Sequence, residues 1–171
     1  NKILELNVEE KYVWVQPGVV LDHLNAYLKP HGLWFPVDVS TSSRATIGGM
    51  SANNSCGSRS LYYGNMVHNV LAIEAILDDG SIFNFDQINK NYLATKNNQD
   101  RLYKIIDKFI DVRQKVGSEI DANWPTTQRR VGGYNIDLID PEGFNSSNLL
   151  VGSEGTLSLF NNCLLYTSDA A

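Results

Sequence analysis

Apolar and polar positions alternate twice near the start of the chain, over residues 3–7 and again over residues 12–16, with the acidic Glu9 and Glu10 between the two runs. Period-two alternation interrupted by a polar pair predicts a β-hairpin, and Pro17 and Gly18 end its second strand. The period then lengthens. Over residues 20–29 the apolar Val20, Leu21, Leu24, Tyr27 and Leu28 fall at helical spacing, and Pro30 followed by Gly32 closes the helix. Trp34 and Phe35 read as packing residues. Residues 70–77 alternate as a strand, Asp79 and Gly80 offer a two-residue turn, and residues 81–85 return as the partner strand, with Glu74 and Asp78 in solvent. The polar residues 86–98 read as a surface excursion. Asp100 caps a helix over residues 101–116, and Leu102, Ile105, Ile106, Phe109, Val112 and Val116 make one apolar face assigned to the core. Beyond Gly117 the chain reads as irregular through Trp124 and Pro125.

Between the patterned segments lie residues 35–64, FPVDVSTSSRATIGGMSANNSCGSRSLYYG, rich in hydroxyls and carrying Gly48, Gly49, Gly57 and Gly64. A run so poor in large aliphatics buries little surface. Structureless loops longer than about 15 residues are uncommon in compact domains and are often functional. Glycines let backbone N–H groups approach a ligand closely, and Thr46, Ile47, Gly48 and Gly49 are placed to start a short helix whose free amides face an anion such as a pyrophosphate. The plain alternative is a Ser/Gly-rich surface loop.

Composition narrows the classes. The chain has 171 residues, is 43% hydrophobic and 19% charged, and carries a net charge of -5, which suits one globular domain. The acidic balance and the lack of a Lys/Arg cluster argue against a nucleic-acid partner. No apolar run approaches the ~20 residues of a membrane span, and the first residues lack a signal-peptide layout. A cytoplasmic protein is the expectation. Cys56 and Cys163 lack metal-ligand spacing and read as reduced. His23, His31 and His68 are scattered, so no metal is expected.

TSSRATIGGM at residues 41–50, Tyr63 with Gly64, and VGSEGTL at residues 151–157 resemble the FAD-linked oxidases and dehydrogenases of the vanillyl-alcohol oxidase superfamily. The nearest likeness is to the branch of D-lactate dehydrogenases, glycolate oxidase flavin subunits and D-2-hydroxyglutarate dehydrogenase-like proteins. The resemblance implies an α+β, PCMH-type FAD-binding domain, mainly its second subdomain, with a mixed or antiparallel sheet flanked by helices and truncated at both ends. It divides the chain into a first-subdomain remnant over residues 1–16, the second subdomain over about 17–148, and a returning strand-turn-strand over 149–163. Residues 164–171 resemble translated sequencing-adapter readthrough and are expected to be a non-native tail.

The same resemblance implies FAD as cofactor and a small-molecule D-2-hydroxyacid as substrate of the whole protein. Electrons would pass to a separate, unidentified acceptor, and further portions of the same polypeptide would flank the chain. On the cofactor it places Pro36, Ser42, Ser43, Thr46, Gly48, Gly49, Asn53 and Gly57, with Gly155 and Thr156 approaching from the returning strand. Arg129, ahead of Gly133, Tyr134 and Asn135, is a candidate for stabilising the reduced flavin; a tight turn with solvated arginines is the equal alternative. No catalytic residue is assigned, and the fragment alone is expected to be inactive. Redox-neutral or reductive chemistry, like that of alkylglycerone-phosphate synthase or UDP-N-acetylenolpyruvoylglucosamine reductase, stays open, as does a nucleotide-binding module without turnover.

Overall fold

The alternating runs at the start pair as the sequence predicts: β1 (Ile3–Asn7) lies antiparallel to β2 (Tyr12–Val15). The computed structural model describes residues 1–94, 100–127 and 129–170. The hairpin is one edge of a five-stranded sheet completed by β4 (Val70–Ile76), β5 (Ile82–Phe85) and β8 (Leu159–Tyr166), in the order β1-β2-β8-β4-β5. Every pairing in it is antiparallel. β8 is therefore the central strand, although it comes late in the chain. The turn between β4 and β5 forms at Asp79 and Gly80, where the Asp79 carboxylate accepts the Ser81 N–H at 2.9 Å.

One face of the sheet carries the core. Val13, Val15, Ile73, Ala75, Cys163 and Leu165 are fully buried, and α1 (Leu21–Leu28) contributes the buried Leu21, Leu24 and Leu28. Each such leucine stabilises the fold by about 1.5–3 kcal/mol relative to exposure. A 3-10 turn at Lys29–His31 follows α1, and β3 (Leu33–Trp34) then delivers Phe35, fully buried, beneath the sheet. The central stretch coils over this core as three short helices: α2 (Ile47–Ala52), α3 (Ser60–Tyr63) and α4 (Met66–Asn69).

Several segments depart from the sequence reading. Residues 86–94 do not form an open excursion: β6 (Gln87–Asn89) pairs with β7 (Gly143–Asn145), and α5 (Lys90–Ala94) follows. Two facing apolar side chains, Ile88 and Phe144, both buried, anchor the pair, and a three-residue strand is too short to show a period. The rest of that predicted excursion lies outside the described residues. The helix predicted to stop near Gly117 runs on as α6 (Arg101–Asn123). Gly117 weakens a helix by only about 1 kcal/mol, and Ile120, 7% exposed, restores the buried stripe one turn later. Pro125 then ends the helix by holding Trp124 extended, at φ -64° and ψ 132°. At the middle of α6 the predicted core face opens to solvent, with Val112 42% and Val116 38% exposed. The predicted strand-turn-strand over residues 149–160 keeps only its second strand. Asn145 accepts the Ser147 N–H at 3.0 Å and caps a 3-10 turn at Ser146–Leu149, so the buried Leu149, Leu150 and Val151 pack from a turn.

Residues 164–166 complete β8, and β9 (Ser168–Asp169) pairs with β3. Leu165, within β8, and Thr167, between β8 and β9, are buried.

Candidate functional site

Thr46 begins the site. Its hydroxyl caps α2 by accepting the Gly49 N–H at 3.3 Å, while the chain on either side is pinned to the loop after β2: Ile47 N–H donates to the Val19 carbonyl at 2.8 Å and Gly48 N–H to the Pro17 carbonyl at 2.7 Å. Gly48 is small by necessity here, because a Cβ would stand 2.5 Å from Pro17 Cβ. The first amides of α2 are thus bonded within the protein. The predicted set of free N–H groups facing an anion is not what Thr46, Ile47, Gly48 and Gly49 provide.

What they provide is a wall. The far end of α2 meets the VGSEGTL turn, where Gly152 N–H donates to the Ser51 carbonyl and Glu154 N–H to the Ala52 carbonyl, both at 2.9 Å. Gly155, at φ +76° with open space where a side chain would project, then leads into β8. Across from α2, β2 pairs only with residues 163–166 of β8 and departs at Pro17, so the first residues of β8 lack a partner on that side. The gap is a cleft of about 380 Å³ lined by Pro17, Gly18, Thr46, Gly48, Gly49, Ala52, Gly155, Ser158, Leu159 and Phe160. Among the described residues, no ionisable side chain lines it. Leu159 is 68% exposed because it forms the rim, and the Ser158 hydroxyl is buried without a hydrogen-bond partner among the described residues.

Of the residues assigned to a cofactor from sequence, this cleft gathers Thr46, Gly48, Gly49 and Gly155. Pro36 is buried in the packing below. Ser42 is tied to the start of α1, its carbonyl accepting the Asp22 N–H at 3.2 Å, and Ser43 is exposed. Asn53 closes α2 by donating its N–H to the Gly49 carbonyl at 3.0 Å. Gly57 is required by packing, since a Cβ there would collide with the Asp38 backbone oxygen. Thr156 donates its hydroxyl proton to the Ser153 carbonyl at 2.5 Å and accepts from the Tyr134 hydroxyl at 2.8 Å, joining two loops instead of lining the cleft. The sequence reading missed Pro17, Gly18, Ala52, Ser158, Leu159 and Phe160. Pro17 and Gly18 were visible as a strand end, but nothing local says that a strand end faces residues so far along the chain.

Arg129 lies in a second cleft of about 270 Å³, which shares no lining residue with the first. Asn65, His68, Thr127, Arg130, Asn135 and Asp137 are among its walls. Arg130 is committed: one guanidinium nitrogen donates to both Asp137 carboxylate oxygens at 2.9 and 2.8 Å, and the group stacks 4.9 Å from the Trp124 ring centre. Asn65 anchors this wall by donating to the Arg130 carbonyl at 3.0 Å, and Asn135 donates to the Val151 carbonyl at 2.7 Å. Between the clefts sits Asn54, at φ +47° and buried, whose carboxamide oxygen accepts the Val67 N–H at 3.0 Å.

Two groups in this region have displaced titrations. Burial opposes ionisation of Asp38, yet hydrogen bonds from the Ser58 hydroxyl at 2.7 Å and the Arg59 N–H at 3.0 Å hold its carboxyl below the usual range. Burial beneath α2 pushes the Cys163 thiol up to about 12, against the opposing influence of the neighbouring Ser51 hydroxyl.

The first cleft fits part of a flavin dinucleotide. Its walls are apolar or glycine, its one orphaned hydroxyl can donate to a heteroatom, and the absence of charge suits a flat uncharged ring and leaves a pyrophosphate without compensation.

Comparison with known proteins agrees. A profile described as FAD binding domain matches residues 1–86. D-2-hydroxyglutarate dehydrogenase of Haemophilus influenzae is 37% identical over 166 residues, covering 91% of this chain and 16% of that protein. The protein of the same name from Escherichia coli is 36% identical over 172 residues, covering 96% of this chain and 17% of its own length. A probable mitochondrial D-lactate dehydrogenase of Danio rerio is 30% identical over 165 residues, covering 96% of this chain and 24% of that protein. The chain therefore spans no more than about a quarter of these relatives' lengths. Among the described residues, no helix is long and apolar enough to cross a membrane. With the profile covering residues 1–86 of 171, the chain belongs to the FAD binding domain family.

Proposed function

We propose that this chain is the FAD-holding part of an oxidoreductase that converts the secondary alcohol of a D-2-hydroxyacid to the 2-oxoacid and passes the electrons to a separate acceptor. The observation that carries the reading is the uncharged cleft between α2 and β8, built from the same TIGG and GSEGT segments that carry the family resemblance. FAD, when bound, supplies the two-electron acceptor. The chain's own contribution is positional. Gly49 and Gly155 leave room for a ring face, Pro17 and Phe160 exclude water from it, and the Ser158 hydroxyl is free to fix its edge.

The names of the relatives support the substrate class, since proteins called D-2-hydroxyglutarate and D-lactate dehydrogenase both act on the same functional group. The test is the visible spectrum of the full-length polypeptide that carries this chain. A flavin spectrum bleached anaerobically by D-2-hydroxyglutarate or D-lactate is the expected result. A protein that stays colourless with added FAD, or a flavin that neither acid reduces, contradicts it.

A further inference from the structure

The short helix α3 carries two large apolar side chains next to each other, Leu61 at 64% and Tyr62 at 85% exposure. Single exposed apolar residues are ordinary on a protein surface. These two differ in their mount. Ahead of α3 the Arg59 N–H donates to the Asp38 carboxylate at 3.0 Å, and the Ser60 hydroxyl accepts the Gly57 N–H at 3.0 Å. Tyr62 meets Tyr63 edge-on with ring centres 4.8 Å apart, Tyr63 meets Trp34 in the same way at 5.3 Å, and the Arg59 guanidinium lies 4.5 Å over the Trp34 ring. Three rings and a guanidinium thus form one ladder that ends at Tyr62. A side chain ordered in advance has little rotamer freedom left to lose when a partner arrives. Trp, Tyr and Arg are also the residues concentrated at the centres of protein contacts.

Three observations bear on what the partner is. The chain corresponds to 16% of the Haemophilus influenzae relative and 24% of the Danio rerio one, so a polypeptide of that kind has several times more chain to pack against this surface. Leu61 also lines the second cleft, so the apolar patch runs into a concavity that a side chain can follow and a flat bilayer cannot. Finally, two side chains supply only a small part of the about 1,200 Å² that a stable contact between separate proteins buries. Within one polypeptide the tether raises the effective concentration, and a small contact suffices.

We infer that Leu61 and Tyr62 form the docking point for another part of the same polypeptide, one outside residues 1–171, which places an apolar side chain at the rim of the second cleft. Neither the flavin nor the hydroxyacid reading is needed for this contact.

The experiment uses the full-length polypeptide carrying this chain, with Tyr62 replaced by photoreactive p-benzoylphenylalanine, a change that an exposed position accommodates. The purified protein is irradiated alone and with vesicles of equal parts phosphatidylcholine and phosphatidylglycerol, and the products are mapped by mass spectrometry. In parallel, hydrogen exchange is followed in wild type and Tyr62→Arg at the Tyr62, Tyr63 and Gly64 amides, which donate to the Arg59 and Ser60 carbonyls at 3.0 Å. The expected cross-link joins position 62 to a peptide of the same polypeptide outside residues 1–171. Exchange in Tyr62→Arg is expected to be at least about tenfold faster than in wild type, the range for removing an interface anchor. A cross-linked dimer, a lipid adduct or no cross-link beyond residues 1–171 overturns the inference, and so does equal exchange in the two proteins. A polypeptide that gives the expected cross-link but binds no FAD leaves the contact standing and defeats the proposed function.

Discussion

The two clefts lie on either side of Asn54 and use their polar groups in opposite ways. The cleft between α2 and β8 has spent its backbone donors internally: the amides of Ile47, Gly48 and Gly49 all donate within the protein, and among the described residues no ionisable side chain lines the opening. The Arg129 cleft keeps a charge in reserve by balancing Arg130 and leaving Arg129 unpaired among the described residues. Desolvating a charged group without a partner is costly, whereas an apolar ring gains by leaving water. On the proposed reading the first cleft therefore receives the flat uncharged ring of the cofactor. A glycine-rich stretch need not mean a phosphate cradle; the glycines here make room.

The contrast is broken most severely at Gly48. Gly48→Val drives a side chain against Pro17, whose Cβ is already 2.5 Å from where a Cβ would stand, and overpacking of this kind costs about 1–3 kcal/mol. A lowered melting temperature and loss of FAD binding are expected. Thr46→Ala removes the cap on α2 and should cost about 1 kcal/mol in denaturant titration, weakening FAD modestly while sparing the other cleft. Ionic strength sharpens the comparison without mutation. Raising salt from about 0.05 to about 0.5 M screens charge, and with no ionisable side chain among the described residues lining the first cleft, affinity for lumiflavin, a ring without phosphate, is expected to hold or rise.

The smallest effect concerns Asp38, which braces the loop carrying Ser60 toward the second cleft. Its folded pKa is depressed, so its stabilisation is fully present above the ordinary value of 3.8 and is lost as pH falls through the lower folded value. Asp38→Asn should flatten the acid limb of a stability-against-pH curve and leave the neutral region slightly lower.

Much of the sheet was legible because its signals are local. Alternation marks β1, β2 and β4, and Asp79 with Gly80 marks the turn into β5. Asp100 caps α6 as read, donating no proton and accepting the Leu102 N–H at 2.9 Å. Two misses have different causes. Gly117 looks like a terminator, yet packing of Ile120 carries the helix past it, a tertiary contact that outweighs a local preference worth about 1 kcal/mol. Leu149, Leu150 and Val151 look like a strand, yet the Asn145 side chain caps a 3-10 turn that ends at Leu149, one local signal overriding another. The first cleft was half legible. TIGG and GSEGT pointed to Gly48, Gly49 and Gly155, but Pro17 and Phe160 meet only because β2 and β8 are neighbours in the sheet, a pairing no spacing reveals.

The claim that the α2–β8 cleft receives the cofactor is tested most directly by filling it. Gly49 is exposed in α2, and a Cβ there would stand 3.1 Å from the Thr46 hydroxyl, which must give way slightly, so Gly49→Leu fills the opening at a cost of at most the Thr46 cap, about 1 kcal/mol. FAD affinity of the full-length polypeptide, read by quenching of flavin fluorescence, is predicted to fall by more than about 100-fold while the melting temperature of the apoprotein stays within a few degrees of wild type. A folded Gly49→Leu protein that binds FAD as tightly as wild type would place the cofactor elsewhere and contradict the account.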